Sequence, residues 1–422
     1  ALRASANDPA DRLKSGAGTT SGSKSHAHMR QALVISQLAI TVVLLIGGGL
    51  LIRSLTKVLT VDPGFRTDNV LTFSFWMLGP RFQQFSNQNT FVLNSIDKVS
   101  RVAGVESVAA ITQVPLSQTG RTTIKFQPVN NPMSEADAPS ADYRAISPGY
   151  FETMGVSLLV GRSFSDADKE GAPRVVIVNH RLASMIWPGQ NAVGRQVRWT
   201  AKNYDVGPMT IVGVAGDVHA QQLETQDEPA VYVPYPQRSL PFLRWVSLAV
   251  RTKADPIPLW PEIRSQVLAL DAERPLYDVK TTKVLVESSL AERKFNAWLL
   301  VGFAASALLL SAVGIYGVIS YGVSQRAKEF GIRMALGARS RDVMQLVLNR
   351  GVLLALAGIA IGTLVAAFAT TLLRKFLFGL GAHDPATFVG VPLLLGFVAV
   401  LSSYLPARRA TKVSPMIAIR EE

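Results

Sequence analysis

The sequence predicts an α-helical membrane protein, with four membrane-spanning helices and an α+β domain of more than two hundred residues held outside the cytoplasm between the first two. Three observations carry this reading. Residues 31–52, 295–325, 351–373 and 388–407 contain no charged side chain, and each stretch is long enough as a helix to cross an apolar slab of about 30 Å. Nearly all the charge lies between them, so a chain that is 48% hydrophobic still carries 17% charged residues. That charge is also distributed unequally. Residues 1–30, 325–350 and 408–422 together hold 15 basic and 6 acidic side chains, whereas residues 57–290 hold 23 and 22.

Basic residues concentrate on the cytoplasmic side of membrane proteins. The imbalance therefore predicts cytoplasmic termini and a cytoplasmic loop at 325–350, with the large domain and the short turn 374–388 outside. The basic excess borders apolar spans, where it faces anionic lipid head groups, so the pI near 10.0 is read as a topology signal and not as a nucleic-acid footprint. With no cysteine in the chain there are no disulfides, thiolate metal sites or cysteine nucleophiles, and the outer domain must be held by its core alone.

The element order predicts four segments. Residues 1–30 read as a cytoplasmic linker, the end of an upstream copy of the same module, because Arg3-Ala4 with Pro9 and Lys14 is echoed by Arg409-Ala410 with Pro415 and Arg420. Its small polar run 15–25 has the composition of a flexible chain. Residues 31–56 form the first span. Residues 57–290 form the outer domain, opening at the Pro63-Gly64 turn. Its parts 57–114 and 241–290 each read as strand-helix-strand: strand 70–75, helix 82–102 and strand 105–114 in one, and strand 246–251, helix 256–270 and strand 276–279 in the other. Between them, residues 115–240 read as a mostly β insert, with apolar runs at 175–178, 210–214 and 230–233. Residues 291–422 contain the other three spans.

The chemistry-bearing residues point away from catalysis. No span contains an aspartate, glutamate, lysine, arginine or histidine, which argues against proton or ion coupling through the membrane. His26 and His28 stand alone in the linker, too few to hold a metal. Asp166, Asp168, Lys169 and Glu170 read as a solvated turn, and no nucleophile, acid-base pair or phosphate cradle stands out. The spans instead carry small residues, Gly47, Gly48, Gly49, Gly314, Gly317, Gly358 and Gly362, which permit close helix packing. Packing within the chain and a dimer seam are both open on the sequence.

The most informative segment is the loop from Gln325 to Val343. It is a helical pattern broken by Gly337, with Ser340 placed to cap the next helix. Phe330, Met334 and Leu336 give it apolar surface, either for docking a partner or for lying on the membrane. Its Glu329-Phe330-Gly331-Ile332-Arg333-Met334-Ala335-Leu336-Gly337-Ala338 resembles the signature of FtsX-like permeases, including the macrolide-exporter (MacB) type of ABC transporter. Val61-Asp62-Pro63-Gly64-Phe65, Ser147-Pro148-Gly149-Tyr150-Phe151, Gly161-Arg162-Ser163-Phe164, Trp187-Pro188-Gly189, residues 213–218 and Pro406-Ala407-Arg408-Arg409-Ala410 resemble the family's other motifs. The likeness covers residues 30–422 and is strongest to the C-terminal half of a duplicated, acidobacterial-type permease.

The resemblance implies a multi-pass protein of the bacterial inner membrane with a periplasmic domain. It further implies that Glu329, Phe330, Gly331, Arg333, Ala335, Gly337 and Ala338 couple the chain to a separate cytoplasmic ABC ATPase. On that expectation the chain is a permease and not an enzyme; ATP and Mg are bound by the partner, and no cofactor is held in this chain. A second permease copy and a periplasmic adaptor are the other expected partners. Movement of the outer domain would drive export or extrusion, and the alternative is an FtsX-like scaffold that regulates a periplasmic cell-wall hydrolase. Phe330 stands where Ile or Leu is usual, a departure that bears on which ATPase is met.

Overall fold

The first apolar stretch lies within helix α1 (Ser21–Val58), whose 38 residues exceed what a bilayer needs. The computed structural model describes residues 21–117, 121–201, 206–224, 228–238, 240, 242–372, 378–381 and 383–411, with side chains from residue 28 onward. Residues 21–30, expected as flexible linker, instead continue α1. Extending a helix costs far less than nucleating one, so a polar segment joined to a long apolar helix follows it. The proposed linker upstream of Ser21, and the residue 412–420 half of the echo, lie outside the described residues. The chain divides into two units, Thr60–Glu292 and the combination of Ala1–Leu59 with Arg293–Glu422.

The outer unit begins with β1 (Val70–Trp76), followed by α2 (Phe85–Ser100) and β2 (Val105–Ile111). Its insert supplies β3 (Thr123–Pro128), β4 (Ser140–Ile146), α3 (Tyr150–Met154), β5 (Leu158–Gly161), β6 (Val175–Asn179), α4 (His180–Ile186), β7 (Gln196–Trp199), β8 (Met209–Ala215) and β9 (Ala230–Pro234). It closes with β10 (Trp245–Thr252), α5 (Trp260–Leu268), β11 (Tyr277–Thr281) and α6 (Thr282–Ser289).

Strands from the two ends of this unit interleave in the order β11-β1-β10-β2, every neighbour antiparallel. Two strand-helix-strand units arranged in this way make a split βαβ sheet. Alternation puts Leu71, Phe73 and Phe75 with Val246, Leu248 and Val250 in the apolar core. There Phe73 meets Trp260 of α5 and Phe75 meets Phe91 of α2. The intervening positions are small, and Ser74 and Ser247 share a hydrogen bond of 2.7 Å.

The insert is a closed barrel. Its strands pair in a ring, β4-β3-β7-β8-β6-β9, sealed by the parallel pairing of β9 with β4. Closure leaves no open edge along that ring. Phe126, Tyr143 and Trp199 fill the interior with Val176, Ile211 and Val231. The ladder passes from sheet to barrel at the rung Ile111–Ile146, flanked by Ser147, whose Oγ accepts the Ala110 N–H at 2.8 Å. The buried Arg238 ties barrel to helix layer: it donates to Gln88 at 2.5 Å and to Asn89, both on α2, and lies 4.1 Å over the Tyr235 ring.

Several motif residues prove to be joints. Gly64 has φ +77°, and a side chain there would strike the Asp217 carbonyl, so only glycine lets the Pro63-Gly64 turn sit against the 213–218 segment. Asp168 is buried, contrary to the expected solvated turn. It receives both arms of Arg162 at 2.7 and 2.8 Å and the Ser165 N–H at 2.9 Å, while its neighbours Asp166, Lys169 and Glu170 are exposed. The Arg162 guanidinium holds the Asp168 carboxyl below the usual carboxylate range, against the opposing effect of burial.

The membrane unit contains α1, α7 (Ala291–Gln325), α8 (Ala327–Ala335), α9 (Ser340–Leu372) and α10 (Pro385–Ala410). Helices α1, α7, α9 and α10 are long and apolar enough to cross a membrane. Phe295, Trp298, Leu309, Phe368, Leu393 and Phe397 are exposed, an outer surface suited to lipid and not to water. Leu38, Val42, Ile46, Leu50, Ile315, Leu395 and Ala399 form the interior.

Lipid supplies no hydrophobic drive to bring helices together, so small residues and buried hydrogen bonds must do it. A Cβ on Gly358 would lie 2.5 Å from the Leu38 Cβ, and one on Gly362 would lie 2.7 Å from the Ala39 carbonyl, so α9 packs backbone against α1. Thr41 of α1 and Ser311 of α7 share a buried hydrogen bond of 2.8 Å. At the end near residue 53, Asp384 caps α10 by accepting the Thr387 N–H at 3.0 Å and pairs with Arg53 of α1.

Two outcomes follow. Gly358→Leu is expected to destabilise the detergent-purified chain by about 2 kcal/mol through overpacking, read as a lowered thermal midpoint. Gly390→Leu, whose Cβ meets open space, serves as the unaffected control. Asp168→Asn is expected to cost about 1 kcal/mol at neutral pH. Because the folded pKa of Asp168 is depressed, the ion pair's contribution is present above the unfolded carboxylate pKa and is lost as pH falls through the folded one. The gap between variant and wild type, followed by thermal unfolding across that range, should close on acidification.

Candidate functional site

The candidate site is the corner between α8 and α9. Helix α8 ends in a pair of carbonyl-capping bonds: the Gly337 N–H donates to the Met334 carbonyl at 3.2 Å, and the Ala338 N–H donates to the Arg333 carbonyl at 3.0 Å. This is a Schellman motif, and it requires Gly337 in the left-handed region, where its φ is +94°. The next helix starts almost at once. Asp342 accepts the Arg339 N–H at 3.1 Å, which makes Asp342 the capping side chain, while Ser340, expected as the cap, is the first helical residue. A helix end with its carbonyls satisfied, followed within three residues by a capped helix start, leaves the corner little freedom.

The loop residues divide by face. Phe330 is 2% exposed and packs with Val343 and Val347 of α9 in the membrane unit's core, with Met334 against the same cluster. The sequence reading that gave Phe330 and Met334 to an exposed docking surface is therefore corrected. On a helix of 3.6 residues per turn, positions 330 and 334 share a face, and that face is claimed by the bundle. Gly331 is buried and Ala338 half-buried, whereas Ala335 and Gly337 are exposed. Ile332 is 45% and Leu336 83% exposed. Glu329 and Arg333, one turn apart, pair at 2.7 Å on the outer side. The exposed surface is thus an apolar pair, Ile332 and Leu336, beside an ion pair. Ile332 was not singled out from the sequence; its offset of four from Leu336 was the available signal.

The small residues have separate roles. Gly358 and Gly362 lie in the α9–α1 contact, Gly314 faces Gln37 of α1, Gly49 faces Thr387 of α10, Gly48 lies near Leu300 of α7, and Gly47 is buried. Gly317 is exposed, with open space at its Cβ. No group of three or more potential metal ligands occurs among the described residues.

A family model of the MacB-like periplasmic core domain matches residues 32–258, and one of the FtsX-like permease C-terminal domain matches residues 301–415. The chain belongs to the MacB/FtsX-type family of ABC permeases. Neither match describes an ATPase domain. Among relatives, the macrolide export ATP-binding/permease protein MacB of Wolinella succinogenes is 25% identical over 400 residues, covering 92% of this chain and 57% of that protein. The pyoverdine export ATP-binding/permease protein PvdT of Pseudomonas fluorescens is 23% identical, covering 76% and 49%. The chain spans about half the length of these relatives. Among solved structures, the periplasmic region of MacB from Actinobacillus actinomycetemcomitans matches 55% of this chain and 97% of that one at 16% identity, with a TM-score of 0.37. Four apolar helices together with a MacB-like periplasmic domain fit a protein of the inner membrane.

The two faces of α8 should separate in stability. Phe330→Ala is expected to destabilise the purified chain by about 3 kcal/mol, because it opens a cavity in the core. Leu336→Ala should leave the stability within about 0.5 kcal/mol of wild type.

Proposed function

We propose that this chain is the transmission permease of an ABC exporter, driven by ATP binding and hydrolysis on a separate cytoplasmic subunit seated on α8. The observation that carries the reading is the capped corner. Its outer face offers Ile332 and Leu336 beside the Glu329–Arg333 pair, a small apolar anchor with a charged rim, which suits docking of a protein partner. Its inner face is fixed to the bundle through Phe330. Force applied to α8 passes to α9 through the Gly337 turn, and from α9 to α1 at Gly358 and Gly362. Helix α1 leads in sequence directly into the outer domain, so motion of α9 against α1 has a covalent route to it. The lack of any charged residue inside the spans agrees with a lever rather than an ion-coupled pore.

In this account both termini and α8 face the cytoplasm, the outer domain works in the periplasm, and ATP with Mg belongs to the partner subunit. The curated relatives are named for export, which favours extrusion of a substrate over activation of a wall hydrolase. A second permease half would complete the transporter, and the exposed Gly317 is available to that contact.

The test is coupling. Arg333→Glu and Leu336→Asp should each weaken co-purification of the ATPase by about tenfold or more and uncouple its hydrolysis, with membrane insertion unchanged. Gly337→Pro should uncouple as well, because proline cannot adopt φ +94°. Unchanged ATPase association in both Arg333→Glu and Leu336→Asp rejects α8 as the docking helix.

A further inference from the structure

At the end of the membrane unit that carries α8, helices α1, α7, α8 and α9 enclose a cavity of about 390 Å³. Its rim is basic. Arg30 comes from α1, Arg326 from the junction of α7 and α8, and Arg350 from α9, and no aspartate or glutamate is among the described residues lining it. The nearby Glu329 is paired instead with Arg333. Arg30 lies 4.3 Å over the ring of Tyr321, which holds its guanidinium at the mouth. The rest of the lining is mixed: His28, Gln31 and Gln325 are polar, and Val323, Phe330 and Val347 belong to an apolar side.

The depth of the three arginines is fixed by the sequence. Arg30 immediately precedes the uncharged stretch 31–52, Arg326 follows the stretch 295–325, and Arg350 precedes the stretch 351–373. All three therefore stand where the apolar slab gives way to the head-group layer. Three cations lining one cavity, with no carboxylate among its described residues, favour an anion between them. A soluble phosphate satisfies the charges but leaves the apolar wall unused. A phospholipid uses both, with its phosphate among the arginines and its chains along the apolar side.

We propose that this cavity binds the head group of an anionic glycerophospholipid from the leaflet on the α8 side. Bound there, the lipid bridges α1, α8 and α9, the elements that the coupling corner joins. The site makes no use of the exposed residues Ile332 and Leu336, so it stands whether or not an ATPase docks on them.

Native mass spectrometry of the full detergent-purified chain, titrated with phosphatidylglycerol or phosphatidylcholine, tests this. Phosphatidylglycerol should bind preferentially and resist displacement by millimolar inorganic phosphate. The double variant Arg30→Ala, Arg350→Ala should weaken its binding about thirtyfold. Gly322→Leu provides a second route, since it keeps every charge and adds bulk at a lining position whose Cβ meets open space, and it should weaken binding by more than about tenfold. Arg341→Ala, outside the cavity, should leave binding unchanged. The proposal is overturned if phosphatidylcholine binds as tightly, if inorganic phosphate displaces the lipid, or if both cavity variants bind phosphatidylglycerol like wild type.

Discussion

The membrane unit depends on the approach of α9 to α1 at Gly358 and Gly362. Those helices are separated in sequence by the whole outer domain, Thr60–Glu292, so the contact that unites them is non-local and must be strong enough to close a long loop. In lipid it gains nothing from burying apolar surface, because the surroundings are as apolar as the side chains. What remains is dispersion over a close fit, and glycine gives the closest fit available. The buried Thr41–Ser311 bond and the Arg53–Asp384 pair supplement it, one within the bundle and one at its edge.

The outer domain solves a different problem with no disulfide available. It builds a split βαβ sheet from the two ends of its segment and closes the intervening chain into a barrel, so that one apolar core runs through both parts. Two of the polar side chains drawn inside are held by partners, Arg238 by Gln88 and Asn89 and Asp168 by Arg162. The motif residues act here as joints. Gly64 clears space for the Asp217 carbonyl, and Ser147 bridges barrel and sheet. Their chemistry is that of shape.

The spans, and the strands at 70–76, 105–111, 175–179 and 230–234, were legible because each is a sustained apolar pattern bounded by polar or turn residues. Interleaving of the two strand-helix-strand units and closure of the barrel were not. The parallel pairing of β9 with β4 joins residues nearly ninety apart, and nothing local encodes such a register. At the candidate site the helix break at Gly337 was plain, but the inward turn of Phe330 was not, since a short amphipathic helix does not declare which of its apolar residues the bundle will claim. Asp168 was misread for a related reason: its partner Arg162 is six residues away around a turn, at no helical or strand spacing. The arginines of the basic cavity were visible only as three separate span ends.

The central claim, that α8 is the seat of a separate ATPase, is tested most directly by a photocrosslinking amino acid placed at position 336 in the full chain within native membranes. The account predicts a crosslink to a cytoplasmic nucleotide-binding subunit from position 336 and, from position 330, crosslinks confined to the chain itself. A crosslink from position 336 to lipid alone, in cells that express the ATPase, would contradict it.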